Sequence, residues 1–182
     1  MSDWVTIGVD PGFAQGAVGV VQDRRAVYSK MFRTSPGAHD RDRFDSIIAE
    51  LLIPVRMFEG RIRAIACEAI TGARQGGFKS KQTSDKAEHI RRVVGNVHAI
   101  AVLTGVPFEE VLPFDWRAVV GVRGASSNER DKRAVRAVTG WTAKVFSGHA
   151  AAALGVAVAG ERAVKSAQFS LGFEGQQRRK HG

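Results

Sequence analysis

Apolar and polar positions begin to alternate almost at the start of the chain. In Val5-Thr6-Ile7-Gly8-Val9-Asp10-Pro11-Gly12, Val5, Ile7 and Val9 share one face of an extended segment. Thr6, Gly8 and Asp10 share the other, and Pro11-Gly12 ends the strand. Residues 16–21 and 26–33 read as two further strands around a polar turn at 22–25, a spacing that implies an antiparallel meander. Residues 34–42 read as a loop. Phe44, Ile47, Ile48, Leu51, Leu52 and Val55 then recur at helical spacing, with Pro54 near the helix end. A fourth strand at 61–68 follows, and strand–helix–strand predicts a parallel, right-handed crossover.

Beyond a glycine-rich stretch, the pattern predicts a long helix over 84–103. Ala87, Ile90, Val94, Val97 and Ala101 mark its apolar face, and Ser84 is its expected N-cap. Residues 108–113 read as a short fifth strand. A short helix starts at Asp115 and Trp116, a basic helix covers 128–138, and a helix of small residues starts at His149.

The length of 182 residues predicts one domain, and 44% hydrophobic residues are enough for a core. No apolar run is long enough to span a bilayer, and the first residues lack the basic and apolar regions of a secretory leader. Cys67, the single cysteine, excludes an internal disulfide and a cysteine zinc site; within an apolar strand it reads as a small core residue in a reducing, cytoplasmic setting. The charge changes the picture more. Lys and Arg number 27 against 18 Asp and Glu, a net +9, which is the footprint of a nucleic-acid binder as well as of a generically basic soluble protein.

Asp10 before Pro-Gly is a natural turn residue. The strand at 61–68 also ends in an acid, Glu68. If the two strands lie parallel and adjacent, both carboxylates meet at the carboxyl edge of the sheet, where α/β proteins bind ligands. Two carboxylates held together repel unless a proton or cation is shared, and a divalent metal is the natural partner. Gly16 and Gly19 allow close backbone approach, expected to be by a phosphate beside Asp10.

Residues 71–81 carry Arg74, Lys79 and Lys81 around Phe78, a composition suited to phosphate contact, with the Phe either stacking on bases or folded back onto the core. On the basic helix, Arg130, Lys132, Arg133 and Arg136 form either a solvated face or a phosphate-contacting one. His89 and His98 are solitary and read as non-ligands. His149 opens the last helix, where the dipole favours neutral imidazole, a good metal ligand; a structural histidine is the other reading.

Taken in order, these segments resemble the RuvC-type Holliday-junction resolvases, from about residue 5 to 159. Ile-Gly-Val-Asp-Pro-Gly at 7–12 is similar to that family's first catalytic strand, and Ala-Cys-Glu at 66–68 to its second. The run at 132–138 is similar to the basic helix before the last motif, and His-Ala-Ala-Ala-Ala-Leu-Gly-Val-Ala at 149–157 to the final helix. The resemblance implies an α/β, ribonuclease H-like fold: a five-stranded mixed sheet flanked by helices. It implies a nuclease domain over 1–170 and a basic tail over 171–182, expected to be disordered. It further implies a homodimer, its seam on the 84–103 helix, that resolves four-way DNA junctions by paired nicks. The cofactor would be Mg²⁺ or Mn²⁺, two ions per site.

By the same resemblance Asp10, Glu68 and His149 are the catalytic and metal-holding residues, and Arg74, Phe78, Lys79, Lys81, Arg130, Lys132, Arg133 and Arg136 contact DNA. The family's last Asp falls at Ala152, which supplies no ligand. Asp131 and Glu161 stand too far along the chain to be expected to replace it. Loss of that ligand weakens the second ion and predicts an impaired or inactive site. A non-catalytic branched-DNA binder of the same fold is the alternative. An actin-like ATPase, sharing only the first strand, would need a second Asp-x-Gly strand, which is missing.

Overall fold

A computed structural model of the protein describes residues 3–70, 81–124, 127–144 and 146–180; for 81–84 and 167–180 it describes the backbone alone. Five strands form one mixed sheet in the order β3-β2-β1-β4-β5. They are β1 (Val5–Asp10), β2 (Gln15–Gln22), β3 (Arg25–Arg33), β4 (Ile62–Glu68) and β5 (Phe108–Val111). β1, β2 and β3 make the expected antiparallel meander, turning through Asp23 and Arg24, both left-handed (φ 47° and 66°). β4 runs parallel to β1, and β5 parallel to β4.

The helices are α1 (Asp40–Met57), α2 (Lys81–Thr104), α3 (Pro113–Val119), α4 (Asn128–Thr139) and α5 (Gly148–Lys180). The sheet is buried on both faces, so its central strands are apolar without a solvent side. On one face Val5, Ile7 and Val9 pack with Ile47 and Leu51 of α1 and Val93 and Val97 of α2. On the other, Val21 and Ala66 pack with Trp116 of α3, Val135 of α4 and Leu154 of α5. Small residues let α5 sit almost in contact with the strands. A Cβ added at Gly8 would fall on the backbone of Ala153 and Ala157, and one at Gly160 would fall 2.6 Å from Ala66 Cβ.

Several expectations change. A Cβ at Gly16 would meet the Phe32 ring and the Asp10 carbonyl, and one at Gly19 would meet Leu154. These glycines therefore admit protein, not a phosphate. Ser84 is not an N-cap, since α2 already begins at Lys81. α5 is helical as far as Lys180. Cys67 is fully buried, as expected of a core residue. Burial pushes its thiol well above the ordinary value. Among the described residues no helix is long and apolar enough to cross a membrane.

Candidate active site

Three parallel strands deliver their carboxyl ends to one edge of the sheet. Val9 pairs with Cys67, so the next step along β1 and β4 sets Asp10 beside Glu68, the juxtaposition expected from the sequence. α5 crosses the same edge with its first turn. There His149 Nδ1 lies 2.6 Å from Asp10 Oδ2. All three side chains line one cavity of about 320 Å³, and Ala152, one turn along α5, lines it too. Among the described residues, larger depressions of about 590 and 790 Å³ lie near the amino ends of β1 and β4 and the β2–β3 turn, and one of about 370 Å³ lies beside α2 and β5. They gather no such set of acids with a histidine.

The electrostatics follow from burial and like charge. Burial raises the Glu68 carboxyl above its ordinary value; the Trp116 indole N–H, donating to Oε1 at 2.8 Å, works against this, while the Asp10 carboxylate adds to it. The Arg117 and His149 charges also hold it down. The His149 imidazole is raised, chiefly by its hydrogen bond to Asp10, with desolvation opposing. The downward shift expected from the helix dipole is therefore reversed in direction: a carboxylate 2.6 Å away outweighs a partial charge on a helix end.

β5 contributes what the sequence reading missed. Because β5 is parallel to β4, the chain leaving it enters the same edge. Trp116 and Arg117 of α3 line the cavity, as do Asn128 and Asp131 of α4. Trp116 is buried, and Arg117 lies 4.8 Å over its ring. Arg117 Nε donates to Asp131 Oδ2 at 2.9 Å. Asp131, set aside on chain distance, thus belongs to the cavity wall. The signal that would have found these residues is the carboxyl-edge rule applied to the fifth strand. Glu161 does lie elsewhere: it accepts from Arg24 N and from Lys165 Nζ.

The other candidate residues divide. Arg74, Phe78 and Lys79 lie outside the described residues, and of Lys81 only the backbone, at the start of α2, is described. On α4, Lys132 pairs with Glu129 at 2.7 Å, and Arg136 donates to the Ala143 carbonyl at 2.9 Å. Arg130 donates to the Arg123 carbonyl, and Arg133 is exposed. His89, read as a non-ligand, bonds Asp40 and stacks on Phe13, while His98 stacks on Phe108. Among the described residues, no three His, Cys, Asp or Glu side chains already converge as a metal-holding group. His149 is closed onto Asp10, and Glu68 is engaged by Trp116.

Sheet order, mixed strand direction and the acidic carboxyl edge define a ribonuclease H-like α/β fold. No protein-family model matches the sequence, and no curated protein matches it. Among solved structures the chain is similar to RuvC of Thermus thermophilus in complex with a Holliday-junction substrate, at 23% identity and a TM-score of 0.69. That match covers 86% of this chain and 91% of the other. A second Thermus thermophilus RuvC structure matches at 25% identity and a TM-score of 0.68, over 85% of this chain and 92% of the other. The likeness establishes the fold and supports the RuvC-type resemblance read from the sequence.

Proposed function

We propose that the chain is a structure-specific DNA endonuclease of the RuvC type, acting as a homodimer on four-way junctions by paired symmetric nicks and impaired by Ala152. One observation carries the reading: Asp10 and Glu68 end adjacent parallel strands, and His149 of a third element closes on Asp10 in the cavity that all three line. The RuvC-like fold and the net charge of +9 agree with a branched-DNA substrate. Residues 1–170 would be the nuclease unit, working in the cytoplasm. Arg130, Lys132, Arg133 and Arg136, with Arg74, Phe78, Lys79 and Lys81, would contact DNA.

The donor set fits one divalent ion better than two. Asp10 and Glu68 are hard oxygen donors brought together in a partly buried edge, where burial and like charge already disfavour the Glu68 anion. They would hold Mg²⁺ or Mn²⁺ with His149 as third donor, and Ala152 offers nothing to a second ion. When bound, the ion supplies Lewis-acid activation of water and neutralises charge on a phosphodiester. The side chains divide the remaining work. Trp116 fixes the Glu68 carboxylate through its indole N–H. Asp10 orients His149 through the 2.6 Å bond to its Nδ1.

Ala152 is also the observation favouring a second reading, a non-catalytic branched-DNA binder. Both readings require preference for a junction over duplex of equal length. Fluorescence anisotropy with labelled junction and duplex, in Ca²⁺ and in EDTA, tests that requirement. Equal affinity for the two substrates would sink both.

A further inference from the structure

We propose that Arg117 binds the scissile phosphate in this cavity, a guanidinium partly taking the place of charge that a ligand at position 152 would recruit. This rests on the endonuclease reading above.

A phosphodiester brought against Asp10 and Glu68 meets two carboxylates and needs cationic partners. Among the described residues, Arg117 is the only Lys or Arg that lines the cavity. On α4, Lys132 pairs with Glu129, Arg130 and Arg136 donate to backbone carbonyls and Arg133 is exposed; none of the four lines the cavity. Arg117 is also held in place before any ligand arrives. Asp131, 5% exposed, takes its Nε, and the Trp116 ring lies beneath the guanidinium. That ring is fixed in turn by its N–H bond to Glu68 and by α5, where a Cβ at Gly155 would lie 2.9 Å from Cζ3.

Among the described residues Arg117 donates through Nε alone, so both terminal nitrogens of the fork remain for a phosphate, and the side chain is 30% exposed. A pre-oriented planar fork is the donor best matched to two phosphate oxygens, and its orientation costs little on binding. The residues behind it are positioning residues. Asp131 aims the fork, and Trp116 couples its plane to Glu68, so the phosphate and the carboxylate are set by one rigid wall.

The test uses the full chain and a four-way junction in Ca²⁺, read by anisotropy. A set of junctions carries one neutral methylphosphonate in turn at each phosphate near the branch point. For the parent, one position should cost about tenfold in affinity, the worth of a lost charge-assisted contact. Arg117→Gln should lose a similar factor, lower the salt slope by about one, and show no further loss at that position. Arg117→Lys should recover only part, because Lys cannot bond Asp131 and present a fork together. Additive losses at every position, or an unchanged affinity in Arg117→Gln, would overturn the proposal. Should Arg117→Gln melt early, Arg117→Gln/Asp131→Asn removes both charges and gives the same reading. Parent that fails to prefer the junction refutes the endonuclease reading instead; parent that prefers it while Arg117→Gln is unaffected refutes only this inference.

Discussion

Gly8→Ala tests how the site is assembled, because β1 and α5 meet at this residue. The added Cβ would land on the Ala153 carbonyl and the Ala157 nitrogen, and 2.8 Å from Ala157 Cα. All three atoms are backbone, so no side chain can rotate away; either the helix or the strand must shift. Overpacking of this kind costs about 1–3 kcal/mol, and the absence of a yielding neighbour places Gly8 at the upper end, ~3 kcal/mol. For a chain of this length that lowers the Tm by roughly 6–12 °C. The shift also carries His149 away from Asp10, since both sit on the two elements forced apart. Circular-dichroism melts in EDTA at fixed protein concentration measure the loss. Gly95→Ala is the control: its Cβ meets nothing within 4 Å on α2, and it should stabilise by about 0.5–1 kcal/mol. A Gly8→Ala melt within about a degree of the parent would refute the close packing of α5 on β1.

Four further outcomes follow from the site. Because the His149 imidazole is raised above 6.5, its pairing stabilises the fold fully below that value and less as pH rises through the folded value. Asp10→Asn should flatten this decline in Tm above pH 6.5, by only about 1–3 °C because the histidine is 44% exposed; an identical pH profile would contradict the pair. Trp116→Phe removes the N–H that holds the Glu68 carboxyl down, so its titration, followed by carboxyl carbon NMR, should move to higher pH. Millimolar Mg²⁺ or Mn²⁺ should raise the parent Tm and leave Asp10→Asn/Glu68→Gln unmoved, in differential scanning fluorimetry. Cys67 should resist a thiol reagent in the native protein and react only once urea unfolds it; fast labelling without urea would contradict its burial.

The fold was legible where periodicity and punctuation agreed. β1, β4 and α1 stand out because alternation, helical spacing and Pro-Gly stops coincide, and the parallel crossover then fixes Asp10 beside Glu68. The roles of Gly16 and Gly19 were not legible, because a glycine signals close approach without saying by what; here the occupants are Phe32 and Leu154. Asp131 and Arg117 were missed for a different reason. Their proximity to Glu68 depends on how α3 and α4 fold back over the edge after β5, a tertiary fact that spacing along the chain does not carry. The direction of the His149 shift was not legible because the helix end is visible in the sequence, while the length of its bond to Asp10 is not.

The proposed function makes the cavity a resolvase site short of one ligand. The most direct measurement compares the parent with Ala152→Asp on a synthetic four-way junction, with strand nicks mapped in Mg²⁺ and in Mn²⁺. The parent should bind the junction with little or no cleavage, and Ala152→Asp should introduce paired nicks at symmetric positions. Tight junction binding by both with no nicking by either would contradict the proposed function and leave a branched-DNA binder.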